Sequence, residues 1–230
     1  MKERPILFSG PMVRALLEGS KTQTRRVCKP AQAHALSCVV EVPDPQERGQ
    51  VYNRSHFGNE EGGIQFACPY GGKGDRLWVR ETFVQGWPYD AVTDRCLQFD
   101  EAGKEVPKKT WYRADGSDIG WCDADGWEAP VPWKPSIHMP RWASRILLEI
   151  TDVRVERLQA ISRTDAQAEG CAHDDPCDHV RHSCSSIGCE GPNHRVGFRK
   201  LWEQINGADS WATNPWVWAI SFRRLEGNQP

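Results

Sequence analysis

Apolar residues fall in short runs, each closed by Gly, Pro or charged residues. Ile6-Leu7-Phe8, followed by Ser9-Gly10-Pro11, reads as a strand stopped by a turn. Pro11 suits the first turn of a helix to Glu18, with Met12, Ala15, Leu16 and Leu17 turned inward and Gly19 as its stop. Ser20 to Arg26 then reads as a polar loop. Gly71-Gly72-Lys73-Gly74-Asp75 is a turn into a strand over 76–83. Residues 145–150 and 153–158 form a strand pair or one bent strand, the second part alternating apolar and charged positions. Ser162 or Thr164 caps a short helix holding Ala166, Ala168 and Glu169, and Gly170 ends it. Phe198, Leu201, Trp202 and Ile205 share one face of a helix over 196–205. The last strand covers 216–222.

Strands dominate this order, and no regular βαβ alternation appears. That excludes a Rossmann sheet and predicts an α+β fold, a mixed β-barrel with flanking helices. The length of 230 residues fits one domain over 1–230, with loop insertions at about 31–70 and 85–132 and a Cys/His-rich loop at 171–194.

Charge narrows the partners. The net charge of −2 gives no whole-protein attraction to nucleic acid. Residues 1–30 nevertheless carry Lys2, Arg4, Arg14, Lys21, Arg25, Arg26 and Lys29 against Glu3 and Glu18, while Asp90 to Glu128 is rich in acids. A local basic site on a near-neutral body suits a small anionic or nucleotide-like ligand better than long duplex DNA. No run approaches the roughly 18 apolar residues of a membrane span, and Met1-Lys2-Glu3-Arg4-Pro5 does not read as an export signal. The nine Cys are therefore expected as reduced thiols in a cytoplasm. Eleven Trp supply much of the core volume, and Trp78 and Trp142 can stack on a base.

Four groups of residues carry candidate chemistry. Lys21-Thr22-Gln23-Thr24-Arg25-Arg26 places a Lys among hydroxyls and cations, and such a Lys can serve as a general base. Glu81 ends a Trp-rich strand, where a barrel mouth would let it bind substrate. Ser136, His138 and Arg141 form a second polar cluster, and His138 can titrate near neutrality. Cys171, Cys177, Cys184 and Cys189, spaced by 6, 7 and 5 residues among four His, can wrap one structural zinc, as can three of the thiols and a His. Catalysis by the basic loop needs no cofactor.

The opening strand and helix with Gly19-Ser20-Lys21-Thr22-Gln23-Thr24-Arg25-Arg26, then Gly74-Asp75-Arg76-Leu77-Trp78-Val79-Arg80-Glu81, then Asn214-Pro215-Trp216-Val217-Trp218-Ala219-Ile220-Ser221-Phe222, resemble in this order the ASCH domain family of PUA-like β-barrels. The closing strand is similar to that of phage and prophage members. Some small members are amidohydrolases that deacetylate N(4)-acetylcytidine, and they share a Lys-Thr-x-Thr-x-Arg loop with this chain. The resemblance implies Lys21 as base, Thr24 as nucleophile and Glu169 as their acidic partner, with Arg25, Arg26, Glu81, His138 and Arg141 as substrate-binding candidates. Arg26 matches the family's Arg, whereas Arg25 stands where those enzymes carry an apolar residue. Residues 21 and 24 of a regular strand point to opposite faces, so the triad requires a turn at Lys21-Thr22-Gln23. Three readings stay open: an amidohydrolase of a modified nucleoside, an RNA-binding module, and a ribonuclease in phage–host nucleic-acid metabolism. The first needs a closed pocket and the second an open basic groove.

Overall fold

The computed structural model describes residues 1–29, 36–41, 57–60, 64–90, 95–96, 98–116, 119–122, 129–171 and 194–226. Its main sheet uses β1 (Glu3–Leu7), β2 (Gln23–Val27), β6 (Arg76–Arg80), β11 (Leu147–Arg157) and β12 (Trp216–Leu225) in the order β1-β6-β11-β12-β2. The β1–β6 pair is parallel, and the other pairs are antiparallel. Helix α1 (Gly10–Leu17) links β1 to β2, which lie on opposite edges. Helices α2 (Arg163–Ala168) and α3 (His194–Asn206) precede β12.

The α+β class and the predominance of strands hold, but the expected closed barrel is not formed. Among the described residues no backbone ladder joins its two edges, β1 and β2, and the chain entering β2 pairs instead beside α2. Thr22 N–H donates to Ala168 O at 2.8 Å, and Lys21 forms a β-bridge with Glu169.

Strand β12 is buried on both faces, which explains its nearly continuous apolar run. Trp216, Trp218, Ile220 and Phe222 enter one core with Ile6, Leu77, Leu148 and Ile150. Val217 faces a second core with Leu158, Ile161, Ala166, Phe198 and Trp202. A small sheet of β3 (Val40–Glu41), β4 (Phe57–Gly58) and β5 (Gln65–Phe66) caps the first core. Its Phe57 and Phe66 rings meet Trp218 edge-on, with centroids 5.1 and 5.6 Å away.

Strand β11 is one bent strand, and its register shifts between Ile150 and Asp152. Ser162 is the cap of α2, its hydroxyl accepting from Asp165 N–H at 3.0 Å. The face expected on α3 is half realised: Phe198 and Trp202 are buried, Leu201 is partly so, and Ile205 is exposed. The loop expected at 20–26 is mostly strand β2, because β12 pairs with Gln23–Val27 and the polar side chains find buried partners. Local propensity yields here to tertiary pairing.

The 85–132 segment carries β7 (Phe83–Gly86), β8 (Tyr89–Asp90), β9 (Arg95–Cys96) and β10 (Lys109–Tyr112) as two small two-stranded sheets. Cys96 and Cys122 are joined by a disulfide, a departure from the all-thiol expectation. The segment folds back on itself: the Trp121 ring sits over Gly86, and this return brings Cys122 to β9. Among the described residues, no helix is long and apolar enough to cross a membrane.

Candidate functional site

Strand β2 is an edge strand, and its polar residues are unusually deep. Lys21, Gln23, Thr24 and Arg25 are all buried, as is Glu169 at the C-terminal end of α2. Burying a charge costs several kcal/mol unless partners replace its water, and here they do. Lys21 Nζ donates to Glu169 Oε2 at 2.8 Å and to Glu169 O at 2.7 Å. Arg25 Nη1 donates to the other carboxylate oxygen of Glu169 at 3.1 Å and to Gln23 Oε1 at 2.6 Å. Arg25 Nε and Nη2 reach Glu156 Oε1 at 2.9 and 2.5 Å, and Nη2 lies 3.2 Å from Asp165 Oδ2. Gln23 Nε2 donates to Asp165 Oδ1 and to Ser221 Oγ at 3.2 and 3.0 Å.

The network ties β2, β11, α2 and β12 together. Burial pushes the Asp165 carboxyl up, but Arg154, Arg25, Ser162 and Gln23 outweigh it and hold the group below the usual carboxylate range. Gly170 lets the chain leave α2 close over Lys21: its φ is +72°, and a Cβ there would stand 2.9 Å from Lys21 Cβ.

A cavity of about 60 Å³ lies along β2, lined from the strand by Thr24, Arg25, Arg26 and Val27, by Glu169, by Met12 of α1, and by Phe198, Leu201 and Trp202 of α3. Both faces of β2 contribute, as expected of a site on a strand's free edge. Its size admits a few waters or a small acyl group, not a whole nucleoside. Thr24 Oγ1 makes no hydrogen bond among the described residues, and Arg26 Nε and Trp202 Nε1 are buried without a partner. Arg26 is anchored by Nη2 donating to Leu7 O at 2.5 Å, and its guanidinium lies 5.2 Å from the Phe8 ring centre. Burial pushes the Arg26 guanidinium below its ordinary pKa, with Tyr70 and Glu169 opposing.

The structure thus brings Lys21, Arg25 and Glu169 into direct contact, and sets Thr24, Arg25, Arg26 and Glu169 around one cavity. The turn required at Lys21-Thr22-Gln23 is absent. Lys21 does not line the cavity, and no hydrogen bond joins it to Thr24. Glu169 bonds to Lys21 and lines the cavity that Thr24 also lines.

The other candidates lie elsewhere. Glu81 is buried beyond the end of β6, gripped by Arg145 Nε and Nη2 at 2.9 and 3.0 Å. Burial pushes its carboxyl up despite that grip. Arg145 also holds Asp115, so Glu81 belongs to a separate paired cluster. His138 is exposed, and Arg141 pairs with Glu3 at 2.9 Å near the β1 edge. Trp78 is half-buried under Arg80, and Trp142 is exposed. Cys177, Cys184 and Cys189 lie outside the described residues. Cys171 is partly buried beside the site, and burial and Glu169 push its thiol up to about 12. Among the described residues, no cluster of three or more His, Cys, Asp or Glu is placed to hold a metal.

Sequence reasoning missed Gln23, Arg154, Glu156 and Asp165, whose partnership depends on β11, β12 and β2 lying side by side. Trp202 was visible on the apolar face of α3, but only as core. Compared with known protein families, with curated proteins and with solved structures, the chain matches none.

Proposed function

We propose that this chain is an amidohydrolase that removes a small acyl group from the exocyclic amine of a modified nucleoside such as N(4)-acetylcytidine. The observation that carries the reading is Glu169, bonded to Lys21 at 2.8 Å and lining the same small cavity as the unpartnered Thr24 hydroxyl. A nucleophile, an acidic group and a buried cation are the parts that acyl transfer needs. The resemblance to ASCH-type amidohydrolases at Lys21, Thr24 and Arg26 points the same way.

In this mechanism Thr24 Oγ attacks the acyl carbon, and its proton passes to the Lys21–Glu169 pair through Glu169. The C–N bond then breaks, the pair returns the proton to the leaving amine, and an acyl ester stays on Thr24. Water attacks that ester and gives a proton to the pair, which restores Thr24 Oγ–H as the carboxylic acid leaves. The acyl group occupies the cavity, and the base stays at its mouth near Ile205 and Asn206.

The RNA-binding and ribonuclease readings need cations free to meet phosphates. Lys21 and Arg25 are instead buried and paired with acids, which favours the pocket. The test is cytidine release from N(4)-acetylcytidine by the wild type and by Thr24→Val. Release by the wild type alone is expected. No release, or equal release by Thr24→Val, would overturn the reading.

A further inference from the structure

Helices α2 and α3 pack on the outer face of the main sheet around Val217 and Val27. Toward the other edge, strand register sets further rows of side chains on the same face. One row is Glu3, Arg76, Glu149 and Arg223, with a charge that alternates from strand to strand. The next is Pro5, Trp78, Leu147 and Leu225, which is wholly apolar. Leu7 and Arg80 follow. The intervening residues Ile6, Leu77, Leu148 and Phe222 enter the first core, which fixes these rows as outward. The chain between β10 and β11 crosses this face. Arg80 Nε donates to Met139 O at 3.1 Å and its Nη2 to Ile137 O, while Arg141 Nε reaches Glu3 Oε2 at 2.9 Å. Apolar side chains are left in water here: Trp142 is 55% exposed, Ile137 56% and Leu7 41%. Single exposed apolar residues are ordinary, but these flank one apolar row. The cations of the charged rows do not await phosphate, because Arg76 and Arg141 meet Glu3 and Arg223 meets Glu149.

We propose that this face is the interface of a two-fold dimer of the chain. A face that both copies use must complement itself, and the charged row does. The strands lie in the order β1-β6-β11-β12, so their row reads acid, base, acid, base. With the two-fold axis along the strands between β6 and β11, Glu3 faces Arg223 of the partner subunit, and Arg76 faces Glu149 of the partner subunit. The apolar row meets itself in the same way. The segment that carries Ile137 and Trp142 then lands on the β11–β12 half of the other copy, and both side chains leave water. Their burial supplies the affinity, and the alternating charges set the register. This interface is independent of the hydrolase reading, because β2 lies at the opposite edge of the sheet from β1.

Sedimentation velocity on the full chain tests this, with thermal melts to show that each variant is folded. The wild type should form a concentration-dependent dimer. Trp142→Asp should raise its dissociation constant roughly 30-fold or more, the scale of an interface hot spot. Glu3→Arg and Arg223→Glu should each raise it roughly tenfold, because the two-fold counts every exposed pair twice. The double variant Glu3→Arg/Arg223→Glu should recover most of the loss. That recovery is specific to the interface: within one chain Glu3 meets Arg76 and Arg141, and Arg223 meets Glu149, so the double reversal mends neither. A chain that stays monomeric at every concentration, or a dimer indifferent to Trp142→Asp, would overturn the interface. Failure of the double reversal to restore the dimer would overturn the two-fold register. A monomer that binds labelled single-stranded RNA, and loses it in Trp142→Asp, would give the face to nucleic acid instead.

Discussion

Lys21 Nζ sits 2.8 Å from Glu169 Oε2, and neither side chain has meaningful access to water. The pair is not symmetric. Glu169 also receives Arg25, whereas Lys21 has no other carboxylate among the described residues, its further bond going to Glu169 O. Removing the acid strands Lys21 beside a neutral side chain, while removing the base leaves Glu169 with Arg25. Glu169→Gln should therefore destabilise the fold by about 3–5 kcal/mol, the usual cost of breaking a buried pair. Lys21→Met should cost less, on the order of 1–3 kcal/mol. Urea unfolding of both variants measures the order, and the reverse order would mean that Lys21 draws its stability from contacts other than Glu169.

Gly170 and Gly19 separate two reasons for a glycine. Both have positive φ, +72° and +79°. A Cβ on Gly19 meets nothing, whereas one on Gly170 would meet Lys21 Cβ at 2.9 Å and Ala15 Cβ at 3.1 Å. Gly19→Ala should cost only the left-handed penalty, roughly 1–2 kcal/mol. Gly170→Ala should cost about 1–3 kcal/mol more through overpacking. It should also impair cytidine release, because Lys21 must move. Thermal melts with the deacetylation assay check both, and equal effects at the two positions would show that Lys21 is not held by close packing.

Much of the frame was legible because it is local. The strand before Ser9, the helix opened by Pro11, the Ser162 cap and the Gly170 stop each follow from neighbouring residues. Lys21, Thr24 and Glu169 were named as one site; Glu169 bonds to Lys21 and lines a cavity with Thr24, and Lys21 does not line that cavity. What was not legible is non-local. Strand β2 looked like a loop because its residues are polar, and only the acids from β11 and α2 make that polarity buriable. Barrel closure failed for the same kind of reason: β2's free edge goes to α2, a pairing that no local pattern announces. Glu81 was placed at a barrel mouth that does not exist, and it is a buried partner of Arg145.

Asp75 pins the start of β1 to the start of β6. It accepts from Lys2 N–H at 2.8 Å, Arg4 Nη1 at 2.9 Å and Gly72 N–H at 3.4 Å. Burial pushes its carboxyl up, but these donors win and hold it below the ordinary value of 3.8. A depressed folded pKa means that the unfolded chain binds more protons, so stability rises with pH through this window. The contribution of Asp75 is complete above the unfolded value near 3.8 and is lost as pH falls through the lower folded one. Asp75→Asn should cost about 1–2 kcal/mol at neutral pH and should flatten that part of the acid limb. Unfolding midpoints between pH 2 and 7 test this; an unchanged acid limb in Asp75→Asn would show that other carboxylates govern it.

The Cys96–Cys122 disulfide spans 26 residues and lies away from the main sheet. Its partners are weak elements: β8 and β9 pair over two residues each, and such a short hairpin is marginal in water by itself. Loop closure over that span is worth about 3.5 kcal/mol, but the gain falls on this segment, because β8 and β9 form a sheet separate from the main one. Reduction, or Cys96→Ala, should therefore open the 87–122 region to limited proteolysis while the main unfolding midpoint moves little. Peptide mapping of unreduced protein should recover Cys96 linked to Cys122. Equal protease resistance before and after reduction would show that the packing of Trp121 on Gly86, not the covalent link, holds the segment closed.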